Sequence, residues 1–131
     1  MKDFQKSVKW FISLGVNSGY ELENQQLKPV EEIVGRYQKI ADLVNEKTGV
    51  YISAVITPSR TIYKGEWGCP VGGEYTYTLS GSCNPAFSDV EKFKEALLLL
   101  VRELRHEFDQ STLLLEIVPA EVYYDREDID Q

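Results

Sequence analysis

The sequence lacks the features that mark several large classes of protein. No apolar run approaches the roughly 20 residues that a membrane-spanning helix requires. Polar residues interrupt the sequence that follows residues 1–6, so no signal peptide is indicated. We therefore expect a cytoplasmic protein without a membrane partner. With 131 residues, 43% of them hydrophobic and 27% charged, the chain has room for one folded domain.

Cysteine and histidine are scarce. The chain contains only Cys69, Cys83 and His106, too few for a disulfide framework in a protein without an export signal. A closed zinc site usually takes four nitrogen or sulfur ligands, which these three residues do not supply. We expect two part-buried thiols, no metal and no cofactor.

Positive charge is also scarce, with 14 Lys and Arg against 21 Asp and Glu and a net charge of −7. Such a chain repels a nucleic-acid duplex at long range, so none is expected as a partner. Residues 125–131 carry a net −3 and are predicted to form an acidic flexible tail after a single domain, residues 1–124. The remaining charge still permits a local basic pocket for a small anion.

Hydrophobic periodicity predicts two helices among several strands. Apolar residues at i, i+3 and i+4 spacing predict a first helix that begins at Pro29 and ends at residues 48–49. The capping box of residues 88–91 predicts a second helix that runs to about Phe108. Strands are predicted at residues 8–16, 50–57, 74–80 and 112–118, with shorter segments at 61–64 and 121–124.

This order of elements favours an α+β fold. No helix separates the middle strands, which indicates an antiparallel or mixed sheet of four to six strands with two helices on one face, most simply in a ferredoxin-like arrangement. Pro58 is expected to end the second strand, with Arg60 in the following turn, and Pro119 to interrupt the last strand. Leu98 and Leu99 widen the apolar arc of the second helix, so a homodimer or higher homo-oligomer is expected unless loops cover them.

A catalytic set is hard to assemble from this sequence. Nucleophilic catalysis pairs Ser or Cys with a positioned base, yet His106 lies in a charged stretch of helix, where histidine is usually inert. Cys69 lies in the glycine-rich loop of residues 65–73, whose backbone N–H groups can face a ligand. That spacing is neither a Walker loop nor a dinucleotide fingerprint, and a structured turn anchored by Trp67 is the alternative. No catalytic residue is therefore predicted.

Binding residues are more plentiful. Guanidinium groups bind phosphates through paired hydrogen bonds, aromatic rings stack on bases, and amides read base edges. Tyr63, Trp67 and Tyr77 offer further flat faces. The alternatives are that the tyrosines fill the sheet and that the helical arginines pair with neighbouring acids. The predicted ligand-binding residues are Arg60, Tyr75, Asn84, Phe87, Arg102, Arg105 and His106.

Parts of the sequence resemble a known family. The run of residues 67–74, the segment Cys83-Asn84-Pro85, an arginine-bearing helix before Gln110, and an opening strand with Leu14-Gly15-Val16-Asn17 resemble the first described family of phage Thoeris anti-defence sponges, over about residues 8–124. The resemblance implies a non-enzymatic assembly in the host cytosol that sequesters cyclic ADP-ribose isomers, and in some members cyclic oligonucleotides, and so antagonises bacterial TIR-based defence.

The resemblance also implies where the ligand binds. It assigns the ligand to pockets near a subunit interface and to the residues that match the family's aromatic and arginine positions, namely Tyr75, Asn84, Arg102, Arg105 and His106, with Arg60 added. His106 stands where the family has the second of two arginines one helical turn apart.

Three hypotheses follow from the sequence. The first is a small anionic nucleotide-type ligand held intact by a cytoplasmic homo-oligomer. The second is a small ferredoxin-like enzyme that uses Cys69 or His106. The third is an acidic protein-binding inhibitor whose surface mimics nucleic acid.

Overall fold

Four strands and two helices make up the fold in a computed structural model that describes residues 4–17, 25–125 and 127. A short 3₁₀ turn lies in the long loop between the second and third strands. Of the predicted acidic tail, only residues 125 and 127 are among those described. The elements are β1 (Gln5–Gly15), α1 (Val30–Thr48), β2 (Val55–Thr61), β3 (Glu74–Ser82), α2 (Val90–Glu107) and β4 (Leu115–Val122).

The strands form one antiparallel sheet in the order β2-β3-β1-β4. Alternate residues of β1, from Val8 to Leu14, are buried, because one face of the sheet packs against both helices. The apolar stripes of α1 and α2, which include Ala41 and Leu100, complete that core. The predicted α+β fold in its ferredoxin-like arrangement is confirmed.

Two prolines lie inside strands, where the sequence predicted that strands end or break. β2 continues through Pro58 and β4 through Pro119, so both predictions are wrong. Proline lacks the N–H that pairs with a neighbouring strand, but β2 and β4 are the two edge strands of the sheet. An edge strand leaves one side unpaired and tolerates the missing donor. Arg60 consequently lies within β2 and not in a turn.

Two further boundaries differ from prediction. Residues 50–54 precede the second strand and do not belong to it, although Ile52 is fully buried. No separate strand forms at residues 61–64, because Thr61 is the last residue of β2 and a loop follows it.

The two helices are joined at one end by an arginine. Arg36 on α1 donates to the Glu107 carboxylate over 2.8 Å and to the Glu107 carbonyl over 2.7 Å. Its guanidinium carbon lies 3.9 Å from the centre of the Phe108 ring. This contact fixes the end of α2, after which the chain turns toward the sheet.

Leu98 is 63% exposed on α2, whereas Leu99 packs partly against the core. The apolar arc predicted for this helix is thus left open to solvent at one leucine. Neither helix of the described chain has the length and apolar composition that crossing a bilayer requires.

We expect a side chain at Gly81 to destabilise the fold. A Cβ there would lie 2.8 Å from Trp10 Nε1 and 2.6 Å from the carbonyl oxygen of Ser53. Trp10 is fully buried, and the Ser53 carbonyl belongs to the backbone, so neither neighbour moves aside without cost. Gly81→Ala should lower the free energy of unfolding by about 1–3 kcal/mol, as measured by urea denaturation.

The matched control for this change is Gly35→Ala. Gly35 lies exposed in α1, and nothing lies within 4 Å of an added Cβ. Alanine there should raise the free energy of unfolding by about 0.5–1 kcal/mol. If Gly81→Ala is as stable as wild type, the predicted clash of its Cβ with Trp10 and Ser53 is contradicted.

Candidate functional site

The loop between β2 and β3 forms one wall of a cleft of about 550 Å³. The φ angles of Gly68, Gly72 and Gly73 are 101°, 90° and 90°, a region that glycine adopts without strain. These turns bring the loop backbone over the end of the β2–β3 hairpin. The side chains of Gln25, Arg60 and Tyr75 face the loop across the cleft.

Arg60 and Tyr75 form the side of the cleft that faces this loop. They lie opposite each other in the register of β2 and β3, and the Arg60 guanidinium carbon is 4.4 Å from the centre of the Tyr75 ring. Arg60 Nη1 also donates to the Gly72 carbonyl over 2.8 Å. The ring face and the carbonyl hold the guanidinium in one place.

A buried asparagine holds Gln25, the third side chain that faces the loop across the cleft. Asn17, only 1% exposed, donates to Gln25 Oε1 over 3.2 Å and accepts from the Gln26 backbone N–H over 2.9 Å. Gln25 Oε1 in turn accepts from the Tyr75 backbone N–H over 2.9 Å. Gln110, just after α2, donates to the Asn17 carbonyl over 2.7 Å. The network ties the ends of β1 and α2 to the start of β3.

A tyrosine–carboxylate pair lies beside the cleft. The Tyr63 hydroxyl donates to Glu74 Oε1 over 3.0 Å, and the Tyr63 backbone N–H donates to Cys69 Sγ over 3.5 Å. A Cβ on Gly15 would lie 2.6 Å from Glu74 Oε2, so glycine leaves room for this carboxylate. Burial, together with the hydrogen bond to Glu74 and its charge, raises the pKa of Tyr63 to about 12. The tyrosine therefore stays neutral near pH 7 and keeps Glu74 oriented.

The structure brings only two of the seven predicted ligand residues to this cleft, Arg60 and Tyr75. Asn84 and Phe87 line a separate cleft of about 330 Å³, where Asn84 accepts a hydrogen bond from the Tyr124 hydroxyl. Arg102, Arg105 and His106 lie on the last turns of α2, with Arg105 Nη2 3.4 Å from His106 Nε2. A ligand role for these five residues stays a prediction.

Sequence reasoning missed Gln25, Glu74 and the role of Asn17. Asn17 entered through the family resemblance and not as a hydrogen-bonding residue, and Tyr63 only as a flat aromatic face. Eleven positions separate Tyr63 from Glu74, and they meet only because the hairpin closes. No local motif signals such a pair.

The two thiols differ in their surroundings. Cys69 Sγ lies 3.4 Å from the Pro70 carbonyl at the cleft, whereas Cys83 is buried, and burial raises its pKa. Among the residues that the structure describes, no group of His, Cys, Asp and Glu side chains is arranged to hold a metal ion.

Comparison with known proteins identifies related folds. A family model described as SAM lyase matches residues 5–125. The structure of a phage SAM lyase in its apo state is 16% identical, covers 98% of this chain and 98% of its own, and has a TM-score of 0.64. A phage SAM lyase in complex with S-methyl-5'-thioadenosine is 16% identical, with 93% of each chain covered and a TM-score of 0.56. No curated protein sequence matches the chain.

The family match contradicts the resemblance to Thoeris anti-defence sponges. It joins the chain to a family of enzymes, so the expectations of a non-enzymatic protein, a cyclic ADP-ribose ligand and cyclic nucleotide sequestration are wrong. The glycine-rich loop and the arginine-bearing helix that carried the resemblance occur in many ligand clefts and specify no one family. The alternative of a small ferredoxin-like enzyme agrees better with the match.

We expect Tyr63 to ionise well above the usual tyrosine pKa of 10.0 and near 12. The difference in ultraviolet absorbance between wild type and Tyr63→Phe isolates its ionisation during an alkaline titration. Burial is the largest cause of the raised pKa and stays in Glu74→Gln, so this variant should lower the midpoint only part of the way toward 10, because it removes the hydrogen bond to the carboxylate and its charge.

The same shift has a consequence for stability. The folded state holds the Tyr63 proton more tightly than the unfolded chain does. The contribution of Tyr63 to the free energy of unfolding therefore falls as pH rises from 10 toward 12. Tyr63→Phe should lose less stability over that range than wild type. A Tyr63 midpoint near 10 in wild type would contradict the Tyr63–Glu74 contact.

Proposed function

The chain belongs to the SAM lyase family, and from this membership we propose that it is an enzyme that cleaves S-adenosylmethionine and releases S-methyl-5'-thioadenosine. The observation that carries the proposal is the family match over nearly the whole chain. The related phage enzyme in complex with S-methyl-5'-thioadenosine supports the choice of product.

The identity of this product defines the bond that breaks. S-methyl-5'-thioadenosine keeps the methyl group, the sulfur and the deoxyadenosyl group, so cleavage falls between sulfur and Cγ of the aminobutyrate chain. The electron pair of that bond passes to sulfur, and the sulfonium becomes a neutral thioether. A lyase adds no water, so the carbon chain must complete its own valence.

Two balanced routes satisfy this requirement. The substrate carboxylate can displace sulfur at Cγ and close a homoserine lactone, or a base can remove a Cβ proton and leave an alkene. We propose the first route, because substrate oxygen and substrate sulfur then serve as nucleophile and leaving group. The protein's part is to hold the chain bent with the carboxylate behind Cγ, a contribution from proximity and orientation.

The cleft suits such a substrate in size and chemistry. Its volume of about 550 Å³ lies within the range of roughly 300–1,000 Å³ common for small-molecule sites. Glu74 lies between the cleft residues Gly73 and Tyr75, and one of its oxygens accepts a hydrogen bond from the Tyr63 hydroxyl. Carboxylates commonly accept hydrogen bonds from ribose hydroxyls in nucleotide sites. We therefore propose that Glu74, at the edge of the cleft, binds the nucleoside end of the substrate.

The charge of the chain also supports this class of ligand. S-adenosylmethionine combines a sulfonium, an ammonium and a carboxylate, and its net charge is positive. A protein with net charge −7 attracts it at long range, whereas a cyclic dinucleotide is repelled. The sequence predicted a small anionic nucleotide-type ligand, and the ligand proposed here is a small nucleoside derivative whose net charge is positive. A cytoplasmic site of action is part of the proposal.

The proposal predicts that purified protein converts S-adenosylmethionine to equal amounts of S-methyl-5'-thioadenosine and a four-carbon product. Liquid chromatography with mass spectrometry measures both. Proton NMR separates the lactone, or homoserine formed from it, from the isomeric alkene by its vinyl protons.

Heat-denatured protein is the control for slow spontaneous breakdown of the substrate. Recovery of intact S-adenosylmethionine at the rate of this control would refute the lyase assignment. Formation of S-adenosylhomocysteine would instead indicate methyl transfer.

The homo-oligomer expected from the sequence belongs to the proposal as well. Leu98 is 63% exposed on α2, and an exposed leucine beside the apolar stripe of a helix can take part in a contact between subunits. We expect wild type to have a multiple of the monomer mass in light scattering, and Leu98→Asp to reduce it. Leu114→Asp is the matched control, since Leu114 is 73% exposed in the segment before β4. An unchanged mass in Leu98→Asp would contradict this interface.

A further inference from the structure

Arg60 differs from Arg36 in having no carboxylate partner among the residues that the structure describes. Arg36 pairs with Glu32 and Glu107, whereas no ion pair within the described part of the chain includes Arg60. Among the described residues, its one hydrogen bond runs to the Gly72 carbonyl. A guanidinium presents five N–H donors, so four of them have no acceptor in that part of the chain.

This guanidinium is held ready for a ligand. The Tyr75 ring lies against it at 4.4 Å and the Gly72 carbonyl fixes one nitrogen at 2.8 Å. Because these contacts restrict the side chain before any ligand arrives, less rotamer entropy is lost on binding. A preorganised cation without a counter-charge is suited to an anionic group.

The substrate has one such group. The sulfonium and the ammonium of S-adenosylmethionine are cationic, the nucleoside is neutral, and only the α-carboxylate is negative. We propose that Arg60 binds this carboxylate and is the residue that selects adenosyl compounds with an intact amino-acid chain. The inference rests on the proposed function.

The same contact positions the reacting oxygen. If one N–H of Arg60 engages one carboxylate oxygen, the second oxygen remains available for attack on Cγ. The anchor at Gly72 then sets the distance between the carboxylate and the loop that encloses the chain. Arg60 is in this sense a positioning residue, because it bonds to the group that reacts and takes no part in proton transfer.

A competing arrangement is that adenine stacks on the guanidinium. Arginine planes commonly stack on bases, and the side of Arg60 away from Tyr75 is available for this. The two arrangements differ in the part of the ligand that they need. Carboxylate binding depends on the amino-acid chain, whereas stacking depends on the nucleoside.

Two neutral thioethers separate these arrangements. S-adenosylhomocysteine and S-methyl-5'-thioadenosine share the nucleoside and the sulfur, and only the first carries the amino-acid chain. Calorimetry measures the affinity of each for wild type, Arg60→Ala and Arg60→Gln. The glutamine variant keeps an apolar stem and an N–H donor for Gly72 but removes the charge.

We expect both variants to bind S-adenosylhomocysteine about 10- to 100-fold more weakly, the range for loss of one charge-assisted hydrogen bond, and to bind S-methyl-5'-thioadenosine within twofold of wild type. The KM for S-adenosylmethionine should rise by a similar factor. Lys47→Ala is the control, because it removes one positive charge from the exposed last turn of α1 and should change neither affinity.

Equal weakening of both thioethers would overturn the proposal in favour of stacking, and unchanged S-adenosylhomocysteine affinity would overturn it outright. Retained S-methyl-5'-thioadenosine binding shows that a variant is folded. If wild type cleaves S-adenosylmethionine and the two thioethers respond alike to Arg60→Gln, only the role of Arg60 fails. If wild type cleaves nothing, the proposed function fails first.

Discussion

The cleft depends on the antiparallel register of β2 and β3, which places Arg60 opposite Tyr75. Side chains alternate between the two faces of a strand, so a slip of one residue would move Arg60 to the other face of the sheet. The guanidinium would then lose both the tyrosine ring and the Gly72 carbonyl. Register is therefore a condition for the site as well as for the fold.

Two different sets of contacts fix the register of β2 and β3 where the loop joins them. On the loop side, residues 62–73 reverse direction through glycines with positive φ, and a Cβ on Gly73 would lie 3.2 Å from the Thr61 carbonyl. On the core side, Gln25 holds the Tyr75 backbone N–H, and Asn17 holds Gln25. A buried amide with several hydrogen bonds is rigid because each unmade bond carries a desolvation penalty.

The spacing of apolar residues predicted the α+β fold because each helix and strand buries one face, and the local sequence alone shows which residues share that face. The paths of β2 and β4 through Pro58 and Pro119 could not be predicted in this way, since edge position is decided by the order of strands. The same limit applies to the site. Arg60 and Tyr75 were identified by residue type, but their separation from Asn84 and Phe87, and the pairing of Tyr63 with Glu74, depend on the folded hairpin.

The absence of a nucleophile–base pair from the sequence has two physical interpretations. A protein that stores a ligand needs no nucleophile, and neither does an enzyme whose substrate supplies both nucleophile and leaving group. For a sulfonium substrate, positive charge on sulfur disappears as the S–Cγ bond breaks, so an anion beside sulfur would stabilise the substrate more than the transition state. The charge of the carboxylate also disappears as the lactone closes, so a cation at this group does not stabilise the transition state over the substrate. The contribution assigned to Arg60 is therefore orientation of the carboxylate behind Cγ, and Glu74 is assigned to the nucleoside end, away from both changing charges. Catalysis in this site then depends on how the substrate is held, which a search for reactive side chains does not detect.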